Sequence, residues 1–577
     1  MESRAPLLPL PVRATVQAAT SASRWAVACV MLTELFERAA FFGISDNMQI
    51  FCELKCFPAK YHDPLKFTWI FSGFAYAMNI FGGWLADTAL RRFSAILSSL
   101  LVYAAGTLFL VGSAQACDDT NDEDNTVPAL YVTGLCLVVL GTGGSQSNLG
   151  LYGAEQFRDT GDESEQERKV HRYFLWYYWC RNFGSVIAYT LVTYYLYQTD
   201  HHVYGYAAIS VAVTLAAIFF WSGYKRYRQE PQKEQLFKIL IGIVSNRTET
   251  TQQSRNVSRM RDQSYSTSVD SSNEDRDLLR WLDRAKRSKG GRYPDEEVDD
   301  IKQLLSILGI FLTMLVYFTL YSQMSTTYLI QSRYLRLPEL DKDDFFYSTI
   351  VVSLINPVSI LLMVPLMDMV VYPCLSKSGW RPTYLQRMGV GMFLSMLSVT
   401  AAGAVEVYRG KVHHQGSVFH QNISGQVYNA TDLSVFIQVP QFFLSGVSEI
   451  MAVVTGFHFA YTQAPRRMKG TVMGLFLLMF GLGSYLSIGI ASAFNITVEG
   501  IGSPRRLNIN LNNSHAERFL FFLAGLMFLD LGLFWVLARR YKYKTYLTKA
   551  KDFERSTSCS SPRDYGSTNQ VSTSIQS

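Results

Sequence analysis

The chain has 577 residues, of which 49% are hydrophobic, 14% aromatic and only 17% charged. This composition excludes a series of ordinary soluble domains and predicts an all-α polytopic membrane protein embedded in a lipid bilayer. The net charge of +6 is spread over short loops, which argues for a fixed orientation in the membrane and against nucleic acid as a partner.

Residues 1–24 contain three arginines and no apolar core long enough for a cleavable signal peptide, so this tail is expected to stay in the cytosol. Apolar stretches that reach the roughly 20 residues needed to cross a bilayer then recur along the chain. They predict about twelve transmembrane helices. The predicted helices lie near residues 25–47, 67–86, 93–113, 129–150, 172–195, 204–224, 303–323, 347–367, 386–406, 434–461, 471–494 and 517–538.

One long polar insertion, residues 225–302, is rich in Ser, Arg and Asp and divides the predicted helices into two groups of six. It predicts an N-terminal bundle at 25–224 and a C-terminal bundle at 303–540, joined by a cytosolic linker, which is the arrangement of a major facilitator transporter. Within the linker, residues 277–286 predict a short amphipathic helix, most simply a solvated or interfacial one. The polar, Ser/Thr-rich segment 541–577 predicts a disordered cytosolic tail.

The loops predict which side of the membrane each helix end faces. The side opposite to the cytosol contains an acidic segment at 117–125 without Lys or Arg, and three cysteines, Cys52, Cys56 and Cys117, for which one disulfide is an open alternative. Basic residues cluster on the other side, which the positive-inside rule assigns to the cytosol, at 91–92, 225–228, 466–469 and 539–544. Four sequons on the non-cytosolic side are candidate glycosylation sites, at Asn422, Asn429, Asn495 and Asn512.

The first predicted helix contains three charged residues within "ELFERAAFFG", residues 34–43. Glu34, Glu37 and Arg38 lie three and four residues apart and therefore share one helix face. Three isolated charges in the bilayer would cost about 8 to 10 kcal/mol, so pairing and a hydrated cavity must stabilise them. An ion pair that only holds helices together is the simpler interpretation. Two acids with one base, however, leave a surplus carboxylate that can take up a proton, which favours proton coupling.

Several motifs resemble, in the same order, those of the proton-coupled oligopeptide transporters (POT/PTR, solute carrier family 15). They are "ELFERAAFFG", "GGWLADTALRRFSAI", "YGAEQFRDTG", "YYWCRNFGS", "VPQFFLSGVSEI" and "GFHFAYTQAPRRMKGTVMG". "QMSTTYLIQS", "VYNATDLS" and the short loop at 407–433 are most similar to the peptide/histidine transporter branch. The resemblance implies a symporter that carries histidine or di/tripeptides with protons by alternating access. It implies no cofactor or metal beyond the coupling proton.

The resemblance also implies roles for individual residues. Glu34, Glu37 and Arg38 match the proton-coupling motif, and Glu449 matches an acid of helix ten that faces the amino end of the substrate. Because a zwitterion needs a cation at one end and an anion at the other, Arg38 is the expected partner of the substrate carboxylate. A paired structural acid is the alternative interpretation of Glu449. The implied substrate-binding residues are Arg38, Tyr76, Gln146, Arg181, Asn182, Gln323 and Glu449.

Several positions differ from the family pattern. Gln146 replaces a lysine that helps to hold the substrate carboxylate in many members, and Arg181 replaces a residue that is usually apolar. We hypothesise that Arg181 points into the cavity and supplies the missing cation; a snorkelling or locally paired arginine is the alternative. His458 replaces a glutamate, lies opposite Glu449 on a straight helix, and is expected to pack or to reach the cytosolic interface rather than to sense pH. The other differences are at Phe41, Phe42 and Arg91.

Two functions and two locations follow from these features. The catalytic signatures G-x-S-x-G and H-E-x-x-H and the P-loop are absent, so an enzyme is not expected. "SRAPLLPL", with Leu7 and Leu8, resembles the dileucine sorting signal of the peptide/histidine branch and predicts an endosomal or lysosomal membrane, with the plasma membrane second; a disordered tail with two leucines is the plain alternative. The second function is a transport-impaired relative that binds cytosolic adaptor proteins as a membrane scaffold for signalling.

Overall fold

Two groups of membrane-crossing helices make up the structure, a computed structural model that describes residues 12–52, 64–119, 126–157, 163–192, 202–228, 280–337, 345–379, 382–423, 426–494 and 515–543. All twelve predicted crossings coincide with helices in this part of the chain. The helices of the N-terminal bundle are α1 (Val12–Cys52), α2 (Pro64–Thr88), α3 (Arg92–Asp119), α4 (Thr126–Glu155), α5 (Glu163–Ile187) and α6 (Val203–Ser222).

The C-terminal bundle uses more helical segments for its crossings. A π-helical turn, Met367–Val371, joins α9 to α10, and a second, Ile450–Val454, joins α12 to α13, so that each pair forms one crossing. The short α8 follows α7 directly. The segments are α7 (Asp295–Tyr321), α8 (Thr327–Arg333), α9 (Phe345–Leu366), α10 (Tyr372–Lys377), α11 (Tyr384–His414), α12 (Val439–Glu449), α13 (Thr455–Gln463), α14 (Lys469–Ala493) and α15 (Ala516–Arg540).

α1 and α5 are the most polar helices of the N-terminal bundle. Within the described residues, nine helical stretches are long and apolar enough to cross a membrane by length and composition, and α1, α2 and α5 are not among them. α1 contains the three charges of the "ELFERAAFFG" segment, and α5 begins with the charged sequence ESEQERKVHR. Polar residues in membrane helices concentrate where a protein binds ions or substrates. These three helices supply much of the site described below.

Glycines let α2 and α14 approach each other closely. A Cβ atom on Gly83 would lie 2.1 Å from the backbone oxygen of Gly470, and one on Gly474 would lie 2.4 Å from the backbone oxygen of Asn79. Since both distances are far below a van der Waals contact, a side chain at either position would push the helices apart. This contact sets the spacing of the two bundles beside the site.

A small three-stranded sheet includes two strands between α11 and α12, where the sequence predicted only a loop, and one strand that follows α8. Its strands are β1 (Leu335–Arg336), β2 (Val418–Ile423) and β3 (Gln426–Ser434), in the order β1-β3-β2. β2 and β3 form an antiparallel hairpin, and β1 adds to β3 in parallel. The candidate glycosylation residues Asn422 and Asn429 lie on this hairpin, and Asn429 is exposed. Asn495 and Asn512 lie outside the described residues, as do Leu7 and Leu8.

The end of the predicted linker is ordered against α7. The amphipathic segment forms a 3₁₀ helix over Arg280–Ala285 instead of an α-helix. Its Leu282 packs against Val298 and Ile301 of α7. Asp283 accepts from Lys302 at 2.8 Å and from Lys286 at 3.1 Å. The linker boundary at residue 302 stays a prediction, and α7 itself begins at Asp295.

One of the predicted loop cysteines forms a disulfide. Cys117 is disulfide-bonded, whereas Cys52 is buried and takes part in no disulfide. Cys56, the third cysteine of the predicted set, lies outside the described residues, so a disulfide within the set stays a prediction. Cys52 is not its partner.

Candidate functional site

α1 places Glu34, Glu37 and Arg38 on one buried face, as their spacing predicts, and none of the three is exposed. Arg38 donates from Nε and Nη2 to the two carboxylate oxygens of Glu37, each at 2.5 Å. Its guanidinium carbon lies 4.6 Å from the centroid of the Phe41 ring, a cation–π contact. This two-point pair neutralises Arg38 within its own helix.

Glu34 is the surplus carboxylate, and its partners come mainly from α5. The Tyr177 hydroxyl donates to Oε2 at 2.5 Å, and Arg181 Nη1 donates to Oε1 at 3.4 Å. Arg38 Nε is farther away, 3.8 Å from Oε1. Tyr177 and Arg181 lie one turn apart and so present both groups on one face of α5. Arg181, which is 9% exposed, thus points to the charged cluster and not to lipid.

Gln146 of α4 lies directly beside Arg38. With its amide oriented by its hydrogen-bond partners, the side-chain oxygen accepts from Arg38 Nη1 and Nη2, both at 2.5 Å. A neutral amide can accept from a guanidinium but cannot compete with it for a carboxylate. Gln146 therefore completes the hydrogen bonding of Arg38 and does not add a second cation.

Glu449, at the end of α12, is bound by neutral donors from both bundles. Tyr178 of α5 donates to Oε1, Tyr321 donates to the same oxygen at 3.2 Å, and Asn356 donates to Oε2 at 3.2 Å. Glu449 is 3% exposed, and no salt bridge joins it to a cation among the described residues. A buried carboxylate without a cation is costly, so a proton or an amino group would stabilise it. The hydrogen bond from Tyr178 also joins the two bundles at the site.

The other substrate-binding residues implied by the resemblance, Tyr76, Asn182 and Gln323, do not all lie beside the charged residues. Tyr76 is buried, interacts with Arg181 and packs against Phe480, with ring centroids 4.1 Å apart. Asn182 donates to the backbone oxygen of Tyr178 at 2.9 Å, a bond within α5. The side chain of Gln323 bonds within the C-terminal bundle. Its partners there are Thr319, Ser322, Thr327 and Ser487. The structure thus brings Tyr76 to the charged residues and leaves Gln323 with neutral ones.

The bundles also meet at their predicted cytosolic ends. Asp87 of α2 accepts from the backbone N–H of Gly470 at 3.2 Å and of Thr471 at 2.7 Å, in the first turn of α14. A helix N-terminus stabilises a carboxylate in this position. Arg92 at the start of α3 donates to Asp87 at 3.0 Å and also bonds to Glu155. These contacts close the cytosolic end below the site.

His458 belongs to the same closed end and does not contact Glu449. It is 1% exposed, its ring stacks on His171 with centroids 5.3 Å apart, and it meets Tyr384 edge-on at 4.7 Å. It therefore packs, as the sequence predicted. Neither of its ring nitrogens has a hydrogen-bond partner in the part of the chain that the structure describes. Within the described residues, no group of three or more His, Cys, Asp or Glu side chains could hold a metal ion.

Four residues that the sequence did not single out complete the site: Tyr177, Tyr178, Tyr321 and Asn356. For Tyr177 and Tyr178 a signal was present. They lie four and three residues before Arg181 and so share its helix face. For Tyr321 and Asn356 the sequence held no comparable signal, because their approach to Glu449 depends on how the helices pack.

A family model described as the POT family matches residues 93–503. The chain belongs to the POT family. Among curated relatives, solute carrier family 15 member 3 of Mus musculus is 28% identical over 90% of this chain and 92% of its own length. The protein of the same name from Rattus norvegicus is 29% identical over the same shares.

Solved structures of POT family transporters share the fold. An auto-inhibited POT family peptide transporter superposes with a TM-score of 0.61 at 22% identity and covers 90% of this chain and 98% of its own. The POT family transporter PepTSo gives 0.61 at 22% identity, over 89% and 97%. At these identities the likeness supports the fold alone. It confirms the predicted major facilitator fold of a polytopic membrane protein, which in this family is a transporter fold.

Proposed function

We propose that the protein is a proton-coupled symporter that carries histidine and di/tripeptides by alternating access, from the endolysosomal lumen to the cytosol. The position of Glu34 carries this proposal. It is a fully buried carboxylate beyond the one that Arg38 already binds, and an arginine from another helix holds it. The affinity of such a carboxylate for a proton rises when that arginine moves away.

Arg181 is the cation best placed for a substrate carboxylate. Arg38 is held by both oxygens of Glu37 and by Gln146, whereas the contact of Arg181 with Glu34 is a single one at 3.4 Å. This proposal revises the assignment from the resemblance, in which Arg38 binds the carboxylate. Glu449, with neutral donors only, is the anion for the amino end. A POT family transporter has been crystallised with 5-aminolevulinic acid, which has an amino group and a carboxylate.

Substrate and proton binding are then coupled through one ion pair. A substrate carboxylate that binds Arg181 takes the cation away from Glu34. An uncompensated buried charge costs about 3 to 5 kcal/mol, so Glu34 takes up a proton. By thermodynamic linkage, protonation of Glu34 increases the affinity of Arg181 for the substrate carboxylate by the same factor as substrate binding increases the proton affinity of Glu34. An acidic lumen supplies that proton, which is why we place the protein in an endosomal or lysosomal membrane, guided there by Leu7 and Leu8.

The proposal is tested with the purified full-length protein in lipid vesicles. Labelled histidine and a labelled dipeptide are offered with and without an imposed pH gradient, acidic outside. We expect accumulation only with the gradient, and its collapse on adding a protonophore. Glu37→Gln should reduce accumulation strongly, because Arg38 then lacks its carboxylate and competes for Glu34.

Correctly folded protein that moves neither substrate under any gradient would contradict the symporter. The same result would favour the scaffold function, in which cytosolic adaptor proteins bind the linker or tail. Uptake that is equal with and without the gradient would show a transporter without proton coupling.

A further inference from the structure

Two tyrosines of α5 extend from Glu34 towards the predicted cytosolic end of the N-terminal bundle. Tyr177 donates its hydroxyl to Glu34 Oε2 at 2.5 Å. Tyr173 lies one turn earlier on the same face, and the two ring centroids are 5.7 Å apart. Each tyrosine is 3% exposed. Because α5 begins on the predicted cytosolic side, Tyr173 is about 6 Å closer to the cytosol along the helix axis than Tyr177.

Two glycines of α4 face these hydroxyl groups. A Cβ atom on Gly150 would lie 3.4 Å from the Tyr177 hydroxyl oxygen, and one on Gly153 would lie 2.1 Å from that of Tyr173. The missing side chains make room for both phenols between α4 and α5. The glycines are three residues apart, about 4.5 Å along α4, so the two hydroxyls follow one another in the same direction.

The Tyr173 hydroxyl is buried and has no hydrogen-bond partner among the described residues. An unsatisfied buried hydroxyl destabilises the folded protein, and phenylalanine would fill the same space without that cost. Tyr227, which follows the predicted cytosolic end of α6, is a further phenol whose buried hydroxyl has no hydrogen-bond partner within the described ranges, and it lies within electrostatic range of Tyr173. Unsatisfied hydroxyls therefore continue beyond Tyr173 towards the cytosol.

We propose that Tyr177 and Tyr173 form a proton relay that carries the proton of Glu34 towards the cytosol. Protonated Glu34 passes its proton to the Tyr177 oxygen while Tyr177 passes its own hydroxyl proton to a bridging water. The water passes a proton to the Tyr173 oxygen in the same way, and Tyr173 releases one towards the cytosolic end. Each oxygen on the route gains one proton and loses one, so no phenolate forms and Glu34 returns to a carboxylate.

The hydrogen bond to Glu34 also explains why such a relay does not leak. While Glu34 is ionised, the Tyr177 hydroxyl points to it at 2.5 Å and cannot donate along the relay. Only a protonated Glu34 frees that hydroxyl to turn. The relay thus rests on the proposed symport, in which Glu34 is protonated when a substrate takes Arg181, and it adds the exit route of the proton.

The test compares Tyr173→Phe and Tyr177→Phe with Tyr131→Phe in the full-length protein in vesicles. Tyr131 is a matched control, since it is a buried tyrosine of the same bundle whose hydroxyl bonds to Tyr206 at 3.1 Å. Two readouts are taken with labelled histidine and a labelled dipeptide: accumulation driven by a pH gradient, and counterflow exchange, which needs no net proton movement. We expect Tyr173→Phe to lower driven accumulation about tenfold or more and to leave counterflow unchanged, and Tyr177→Phe to lower driven accumulation by at least as much. Tyr131→Phe should lower neither.

Three outcomes would overturn the relay. Driven accumulation in Tyr173→Phe equal to that in Tyr131→Phe would show that the hydroxyl carries no proton. Equal losses of accumulation and counterflow would show a structural role only. Driven accumulation retained in Tyr177→Phe would show that the proton leaves Glu34 by another route. A wild-type protein without either activity would instead contradict the proposed symport itself, which separates the two failures.

Discussion

A buried arginine is paired with a glutamate on its own helix in each bundle, and the two pairs differ in one respect. In α1, Arg38 binds Glu37 through two bonds of 2.5 Å. In α11, Arg409 Nη2 lies 2.6 Å from Glu406. Neither arginine is more than 2% exposed, and each lies over an aromatic ring. In burial and geometry the two pairs are alike.

The difference is the carboxylate that Glu34 adds in the N-terminal bundle. Glu406 receives a further bond from Gln331 at 2.9 Å, so the C-terminal pair is completed within its own bundle with one acid and one base. Glu34 draws its partners from α5 and lies near the junction of the bundles. Burial and pairing alone therefore do not mark a functional charge. A surplus carboxylate that is shared between helices marks a functional charge.

The largest effect is expected when the balanced pair is broken. Glu406→Gln leaves Arg409 buried without a counter-charge, which should destabilise the protein by about 3 to 5 kcal/mol. Glu34→Gln should cost less, because Arg38 keeps Glu37. Thermal unfolding of both variants in detergent measures the difference. Equal losses of stability would contradict the distinction between the two pairs.

Arg181 tests whether the second partner of Glu34 also binds substrate. Arg181→Ala removes a charge-assisted hydrogen bond to the substrate carboxylate and should raise the KM for histidine about 10- to 100-fold. Arg181→Lys keeps the charge without the planar fork and should recover part of the loss. Concentration series of uptake in vesicles give both values. Uptake by Arg181→Ala that equals wild type would rule out this role.

A smaller effect is expected from restoring a lysine beside Arg38. Gln146→Lys adds a cation that competes for Glu37 and Glu34, and it should slow driven uptake about fivefold, near 1 kcal/mol. In the Arg181→Leu background the same lysine should increase uptake, because it replaces the missing cation. A double-mutant cycle of the four proteins measures this coupling. Additive effects would show that positions 146 and 181 do not exchange roles.

The smallest effect concerns a charge outside the membrane. Partial burial raises the pKa of Asp283, but hydrogen bonds from Lys302 and Lys286 outweigh it and lower the pKa to about 2. Because the unfolded pKa is about 3.9, the stabilisation is complete above about pH 5 and is lost progressively as the pH falls towards 2. Limited proteolysis at 280–294 should therefore be equal at pH 7 and pH 5 in wild type. Asp283→Asn should increase cleavage without changing uptake.

Local patterns predicted most of the helices and the first half of the site. Hydropathy placed all twelve crossings, and the three- and four-residue spacing placed Glu34, Glu37 and Arg38 on one face. The bond between Glu34 and Arg181 joins residues that are 147 positions apart in the sequence. Periodicity predicts which face of a helix a residue lies on, but it does not predict which helix packs against that face. The hairpin β2–β3 was missed for a similar reason, since its pairing needs a partner strand.

In the proposed mechanism Glu34, and not any other buried glutamate, couples proton movement to substrate movement. Vesicles that contain the full-length protein and an internal pH-sensitive dye report proton influx when histidine or a dipeptide is added outside. The account predicts substrate-driven influx in wild type, and none in Glu34→Gln, which should still exchange labelled substrate in counterflow. In Glu406→Gln protein that has folded, the ratio of protons to substrate should be unchanged. Substrate-driven proton influx retained by Glu34→Gln would contradict the account.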